Sequence, residues 1–252
     1  MSEFQYYEFS AIDKPLSKED RETVSGWSSR TEASSSGAIF TYHYSGFPKD
    51  EVQVVSKYFD AMFYAANWGQ YRLILKLPQA LFKISPVRQY KADGLSICAA
   101  GEKHILIDFS PYDDGQEIED WTEPEGKLSS LIQLRNDLIL GDYRCLFLMW
   151  LKCVHVFYGE KWSELKEKPS VPSGLQSLNA PLQELITIFQ IDEAMVSEAA
   201  KESQNPKVTK VDYQERIKNL SEQEKDEWLL KLVNQELFLP EQLKLRLSEA
   251  GS

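Results

Sequence analysis

Apolar positions in the first half of the chain change period several times, the mark of strands and helices mixed in one unit. Phe4 to Ile12, with Phe4, Tyr6, Tyr7, Phe9 and Ala11, predicts a short strand of imperfect period two. Ser17-x-x-Asp20 is a capping-box pattern that opens a helix to about Ser25. Thr31 to Ser36 is polar and reads as a loop or an edge strand. Ala38 to Tyr44 reads as a strand with Ala38, Phe40, Tyr42 and Tyr44 on one face and His43 on the other, beside Ile39 and Thr41. Behind Asp50, a good N-cap, Val52, Val55, Phe59, Met62, Phe63 and Ala66 recur at helical spacing and predict one helix of about five turns. Asn67, Trp68 and Gly69 end it, and Tyr71 to Leu77 alternates as a strand that Pro78 stops. Val87 to Ala99 and Lys103 to Phe109, on either side of Ala100 and Gly101, predict a hairpin whose second arm sends Ile105, Ile107 and Phe109 inward.

The pattern then breaks. Seven acidic residues and no basic one fall between Asp113 and Glu125, which predicts a loop and a domain boundary. Beyond it every strong signal is helical: Leu128 to Leu140 with a stop at Gly141, then a helix capped by Asp142 and apolar on most sides from Tyr143 to Phe157. Lys166 to Gly174 is a linker, followed by helices over Leu178 to Phe189 and Asp192 to Glu202. Ser221-x-x-Glu224 opens a helix with Leu229, Leu232 and Val233 on its buried side, and Pro240 starts a last one through Leu243, Leu245 and Leu247. The leucine spacing is unfinished when Ala250, Gly251 and Ser252 arrive, so this end reads as frayed or cut. The fold expected is α+β: a mixed domain over residues 1–112 with a mostly antiparallel sheet, an acidic linker over 113–126, and an all-helical domain over 127–252.

Charge narrows the partners. With 28 basic against 39 acidic residues the net charge is −11, and such a field repels phosphate backbones and anionic lipid. Nucleic acid and membrane are therefore not expected partners. The most apolar stretch, Cys145 to Tyr158, is too short for a span and contains Lys152 and His155. Cys98, Cys145 and Cys153 form no C-x-x-C pair, and the last two lie about 12 Å apart along one helix, too far to bridge. Sparse thiols and an N-terminus with Glu3 and Glu8 but no signal-peptide regions read as cytoplasmic.

Reactive groups are few. His104 and Asp108 share a strand face about 13 Å apart, too far for one ion, and the acidic loop fails the calcium-loop spacing. Cys153 and His155, two apart on a helix, face different directions. Nucleophile-elbow, phosphate-loop and dinucleotide glycine patterns are lacking, so no catalytic residue, metal or cofactor is assigned. What stands out is aromatic content: ten of the thirty-two residues from Phe40 to Tyr71. Tyr42, His43, Tyr44, Trp68 and Arg72 are the candidate binding residues, because their polar tips need partners when buried and their types dominate contact hot spots. Asp113, Asp114, Glu117, Glu119 and Asp120 form a second candidate contact, for a protein partner. The function expected is a non-enzymatic interaction or adaptor protein. The alternative is an enzyme or small-molecule binder whose pocket is lined by the same aromatic residues, signalled by His43 in a cleft beside a carboxylate.

The first 80 or so residues resemble a family of uncharacterised bacterial proteins. The resemblance is carried by Gln5 to Phe9, Ala11 to Leu16, Thr41 to Phe47, Lys57 to Asp60, and Ala66 to Gly69 followed by Arg72 to Pro78. The chain departs from that pattern at Tyr44, where it has a Trp, and at Phe47, where it has an acid. That family carries no established activity; the resemblance implies an accessory role at bacterial defence loci, type III-E CRISPR systems included. The resemblance implies a protein partner or protease target rather than a catalyst.

Overall fold

The computed structural model describes residues 3–29, 31, 33–111, 123–158, 162–205 and 212–249. The first part runs β1 (Gln5–Ser10), α1 (Lys18–Ser25), β2 (Gly37–Tyr42), α2 (Glu51–Tyr58), β3 (Ala61–Ala66), β4 (Tyr71–Pro78), a short α3 (Ile84–Val87), β5 (Leu95–Ala100) and β6 (His104–Phe109). The strands form one six-stranded sheet in the order β2-β1-β3-β4-β6-β5, with every neighbouring pair antiparallel. The α+β expectation holds, and the mostly antiparallel sheet is wholly so among these strands.

Register decides which side chains share a face, because directly opposed residues project the same way. Tyr7 faces Phe40 on one side and Tyr64 on the other, and Phe9 lies between Ala38 and Met62. With Ile74 and Leu106 these form one buried layer, covered by Val24 of α1, Val54 and Val55 of α2, and Phe59. The rows Phe63-Leu73-Phe109-Leu95 and Ala61-Leu75-Ile107-Ile97 make the other face.

Local capping was readable: Ser17 Oγ accepts from the Asp20 amide at 3.1 Å, and Asp50 Oδ1 accepts from Gln53 at 2.8 Å. The five-turn helix behind Asp50 is corrected. It ends at Tyr58, Phe59 turns extended, and Ala61 to Ala66 is a central strand buried at every position. A strand covered on both faces loses its alternation, so its apolar run matched a helical stripe by accident. The hairpin's first arm is shorter than expected: residues 84–90 are helical turns that bury Val87 and Tyr90, and strand pairing starts at Leu95.

Gly37 sets how closely β2 lies on β1. A Cβ there would stand 2.4 Å from the Phe9 carbonyl oxygen, and backbone on both strands would have to move. Gly37→Ala is expected to cost about 1–3 kcal/mol in a denaturant titration, as overpacking does, and an unchanged midpoint would contradict the register described.

The helical part comprises α4 (Lys127–Leu131), α5 (Gln133–Ile139), α6 (Arg144–Tyr158), α7 (Ala180–Ile188), α8 (Glu193–Glu202), α9 (Tyr213–Lys218), α10 (Glu222–Val233) and α11 (Leu239–Glu249). The single helix expected over 128–140 is interrupted at Ile132. Asp142 Oδ1 accepts from the Arg144 amide at 3.1 Å, and every residue from Cys145 to Val154 is buried, as an all-round apolar helix requires. One hydrophobic cluster runs from Phe63, Leu75 and Ile107 of the sheet to Leu131, Leu146, Phe147 and Leu185 of the helices. Residues 112–122, most of the acidic linker, lie outside the described residues. No helix among the described residues is long and apolar enough to cross a membrane.

Candidate functional site

Three regions bear on function, and the first is the end of the sheet where the aromatic candidates lie. Glu3 and Phe4 tie two turns together there: Phe4 and Asn67 exchange hydrogen bonds at 3.0 Å, and His43 Nδ1 lies 3.2 Å from the Glu3 carbonyl oxygen. The His43 ring lies tilted against Phe4 at 5.3 Å and is exposed. Tyr44 is 75% exposed and held at φ 66°, a left-handed conformation uncommon for a bulky side chain. Trp68 crowns the other turn, 36% exposed. These three cluster at one end.

The other two candidates turn inward. Tyr42 closes β2 with its ring packed edge-on against Tyr7 at 6.0 Å and Phe47 at 6.2 Å. Burial raises its phenol pKa. Arg72 donates through Nε and Nη2 to both oxygens of Asp108, at 2.8 and 2.7 Å, and through Nη1 to Glu51 at 3.4 Å. Its guanidinium is thereby spent on the protein's own carboxylates, which hold its pKa above the ordinary value. Asp113, Asp114, Glu117, Glu119 and Asp120 lie outside the described residues.

At the opposite end of the sheet is a buried charge network whose members lie too far apart in the chain for spacing to reveal. Asp60 pairs with Lys76 Nζ at 3.0 Å through one oxygen and accepts from the Ile12 and Asp13 amides at 2.7 and 2.9 Å through the other. Arg135 of α5 donates to the Lys76 carbonyl at 2.6 Å and to the Asp13 carboxylate, and the Phe238 ring covers its guanidinium at 5.4 Å. Burial pushes Asp13 up to about 6, against the pull of Arg135 and with that of neighbouring Asp60. Burial also works to raise Asp60, but Lys76 and the two amides outweigh it and bring its carboxyl below the usual range. Each charge has a fixed partner, so the network ties five pieces of chain together.

The third surface corrects an expectation. Leu229, Leu232 and Val233 of α10, expected on a buried side, are 59%, 61% and 76% exposed. Apart from Lys231, the last six residues of α10 are apolar, a stripe wider than α11 covers. α10 is held at its polar side by Glu224 to Arg246 at 2.8 Å, while α11 anchors through buried Leu247 and through Leu245 and Phe238 on the main core. Between α10 and α11 lies a groove of about 470 Å³ lined by Ile217, Trp228, Leu229, Leu232, Leu239 and Leu243. The leucine spacing that revealed the stripe could have located this surface, had the absence of a facing helix been legible.

The soft ligands are dispersed, and among the described residues no group of three His, Cys, Asp or Glu side chains could hold a metal ion. Cys145 and Cys153 are buried, and burial raises both thiols, Cys153 to about 12, which leaves them protonated and inert. Comparison with protein-family models, with curated proteins and with solved structures finds no match.

Proposed function

We propose that this chain is a non-catalytic interaction protein that acts by docking another protein. The observation that carries this reading is the open apolar surface of α10, where Leu229, Leu230, Leu232 and Val233 are each at least 59% exposed and adjoin a preformed groove. Contiguous exposed apolar surface of this kind marks contact sites. His43, the one histidine of the aromatic cluster, sits on the surface against a backbone carbonyl, which favours contact over acid–base chemistry. The exposed Tyr44, His43 and Trp68 supply a second, smaller contact of the same kind. The family resemblance of the first 80 residues points in the same direction, to a cytoplasmic adaptor in a bacterial defence system.

The test is a triple variant, Leu229→Ser, Leu232→Ser and Val233→Ser, at positions exposed enough to keep the fold. Affinity capture from the native host is expected to yield a protein retained by the wild type and lost from the variant, and the two purified proteins should then reconstitute a stable complex. An identical set of captured proteins with both baits would count against the reading.

A further inference from the structure

The groove between α10 and α11 also carries information about what fills it, and this inference rests on the docking reading above. Size is the first constraint. The twelve residues of α10 rise about 18 Å, the length of a three-turn helix. Two folded copies forming a stable interface bring roughly 20–30 residues a side. The large exposed apolar residues of this region are seven: Tyr213, Ile217, Leu229, Leu230, Leu232, Val233 and Leu237. That is a small area for a dimer and a fitting one for a single helix.

Charge is the second constraint. A second copy would bring another −11, and an anionic membrane would be repelled in the same way. Between residues 212 and 249 there are nine acidic and six basic residues, and several of the bases are occupied. Lys225 Nζ pairs with Glu222 at 2.7 Å, Arg246 with Glu224, and Lys231 Nζ lies over the Trp228 ring at 4.4 Å. Asp226 and Glu227 are exposed and lie one helical turn before Leu229 and Leu230, on the border of the apolar surface. Glu236 is exposed beside Leu237. Lys225, the charged residue that lines the groove, is paired with Glu222, while Asp226, Glu227 and Glu236 place acidic charge beside the apolar surface.

From size and charge together we propose that the groove receives one amphipathic helix of a partner protein, about three turns long. Its leucine-type stripe enters between α10 and α11, and its lysines and arginines meet Asp226 and Glu227. Recognition of this kind reads anchors at i, i+3, i+4 and i+7, with charge setting orientation and discrimination.

The probe is a set of three synthetic peptides of about 14 residues. All share one leucine stripe, and their flanking positions are all Lys, all Gln or all Glu. Fluorescence anisotropy against the full chain is expected to show the Lys peptide binding about tenfold tighter than the Gln peptide, with the Glu peptide weakest. Leu232→Asp should abolish binding of all three while circular dichroism stays unchanged. Asp226→Asn with Glu227→Gln should bring the Lys peptide down to the Gln peptide's affinity and leave the latter where it was. Equal binding of the three peptides overturns the basic-helix assignment and leaves the docking reading standing. Failure of all three to bind overturns both. A wild-type dimer in sedimentation that Leu232→Asp dissolves assigns the groove to a second copy and overturns the proposal.

Discussion

Replacing Asp60 with alanine is expected to destabilise the protein by about 3–5 kcal/mol, the cost of removing one partner from a buried ion pair. Total stability of a domain is roughly 5–15 kcal/mol, so this single change takes a large share of it. Two losses add together. Lys76, buried within the sheet, loses the carboxylate 3.0 Å away, and the Ile12 and Asp13 amides lose the oxygen they both donate to. Lys76→Met in the Asp60→Ala background removes the stranded amine and should return part of the stability. The remainder measures the two orphaned amides. A double variant as stable as the wild type would show that those amides carry nothing, and a single Asp60→Ala variant within about 0.5 kcal/mol of wild type would show the network to be idle.

The same network gives the protein a pH dependence with two opposing parts. Asp60 has a folded pKa below its ordinary 3.8, so its contribution is present above pH 3.8 and is lost as pH falls through the lower folded value. Asp13 runs the other way. Its folded pKa is raised from 3.8 to about 6, so the folded state holds a proton that the unfolded chain has released. That contribution is full below pH 3.8 and is lost as pH rises through about 6. Asp13→Asn keeps an acceptor for Arg135 but cannot titrate. The Tm of the wild type minus that of Asp13→Asn should therefore fall between about pH 4 and pH 7, and a difference that is flat or rises over that range contradicts the burial described.

Which features were legible depends on how far apart their causes lie in the chain. Ser17, Asp50, Asp142 and Ser221 each cap a helix through an amide two or three residues away, so a short stretch of sequence contains the whole interaction. β4 and β6 are legible because their alternation is local. β3 is not, because what makes it a strand is β1 on one side and β4 on the other, and burial on both faces erases its period. Arg72 stands out in the sequence as a candidate binding residue; its partner Asp108 stands 36 residues later. Arg135 and Asp13 are 122 residues apart, beyond any spacing argument. Spacing shows that Leu229, Leu232 and Val233 share a stripe, but only the fold shows that α11 leaves each of them more than half exposed.

Phe147→Ala carries the other large effect, about 3–5 kcal/mol for an aromatic removed from a packed core. Phe147 is fully buried in α6, with Trp150 at 5.7 Å and Trp162 edge-on at 5.8 Å. Collapse around the gap is hindered because those neighbours are themselves held between the sheet and the outer helices. The consequence reaches the far side of the molecule, since the cluster containing Phe147 also contains Phe63, Leu73 and Phe109 of the sheet. A chain with two separate cores would lose only its helical part when Phe147 is truncated, and the sheet would melt later in a second step. A shared core predicts one transition, at lower denaturant, seen together by far-ultraviolet circular dichroism and by tryptophan fluorescence. Two resolved transitions in the variant, with sheet signal surviving the first, would return the chain to the two-domain division its acidic stretch implies.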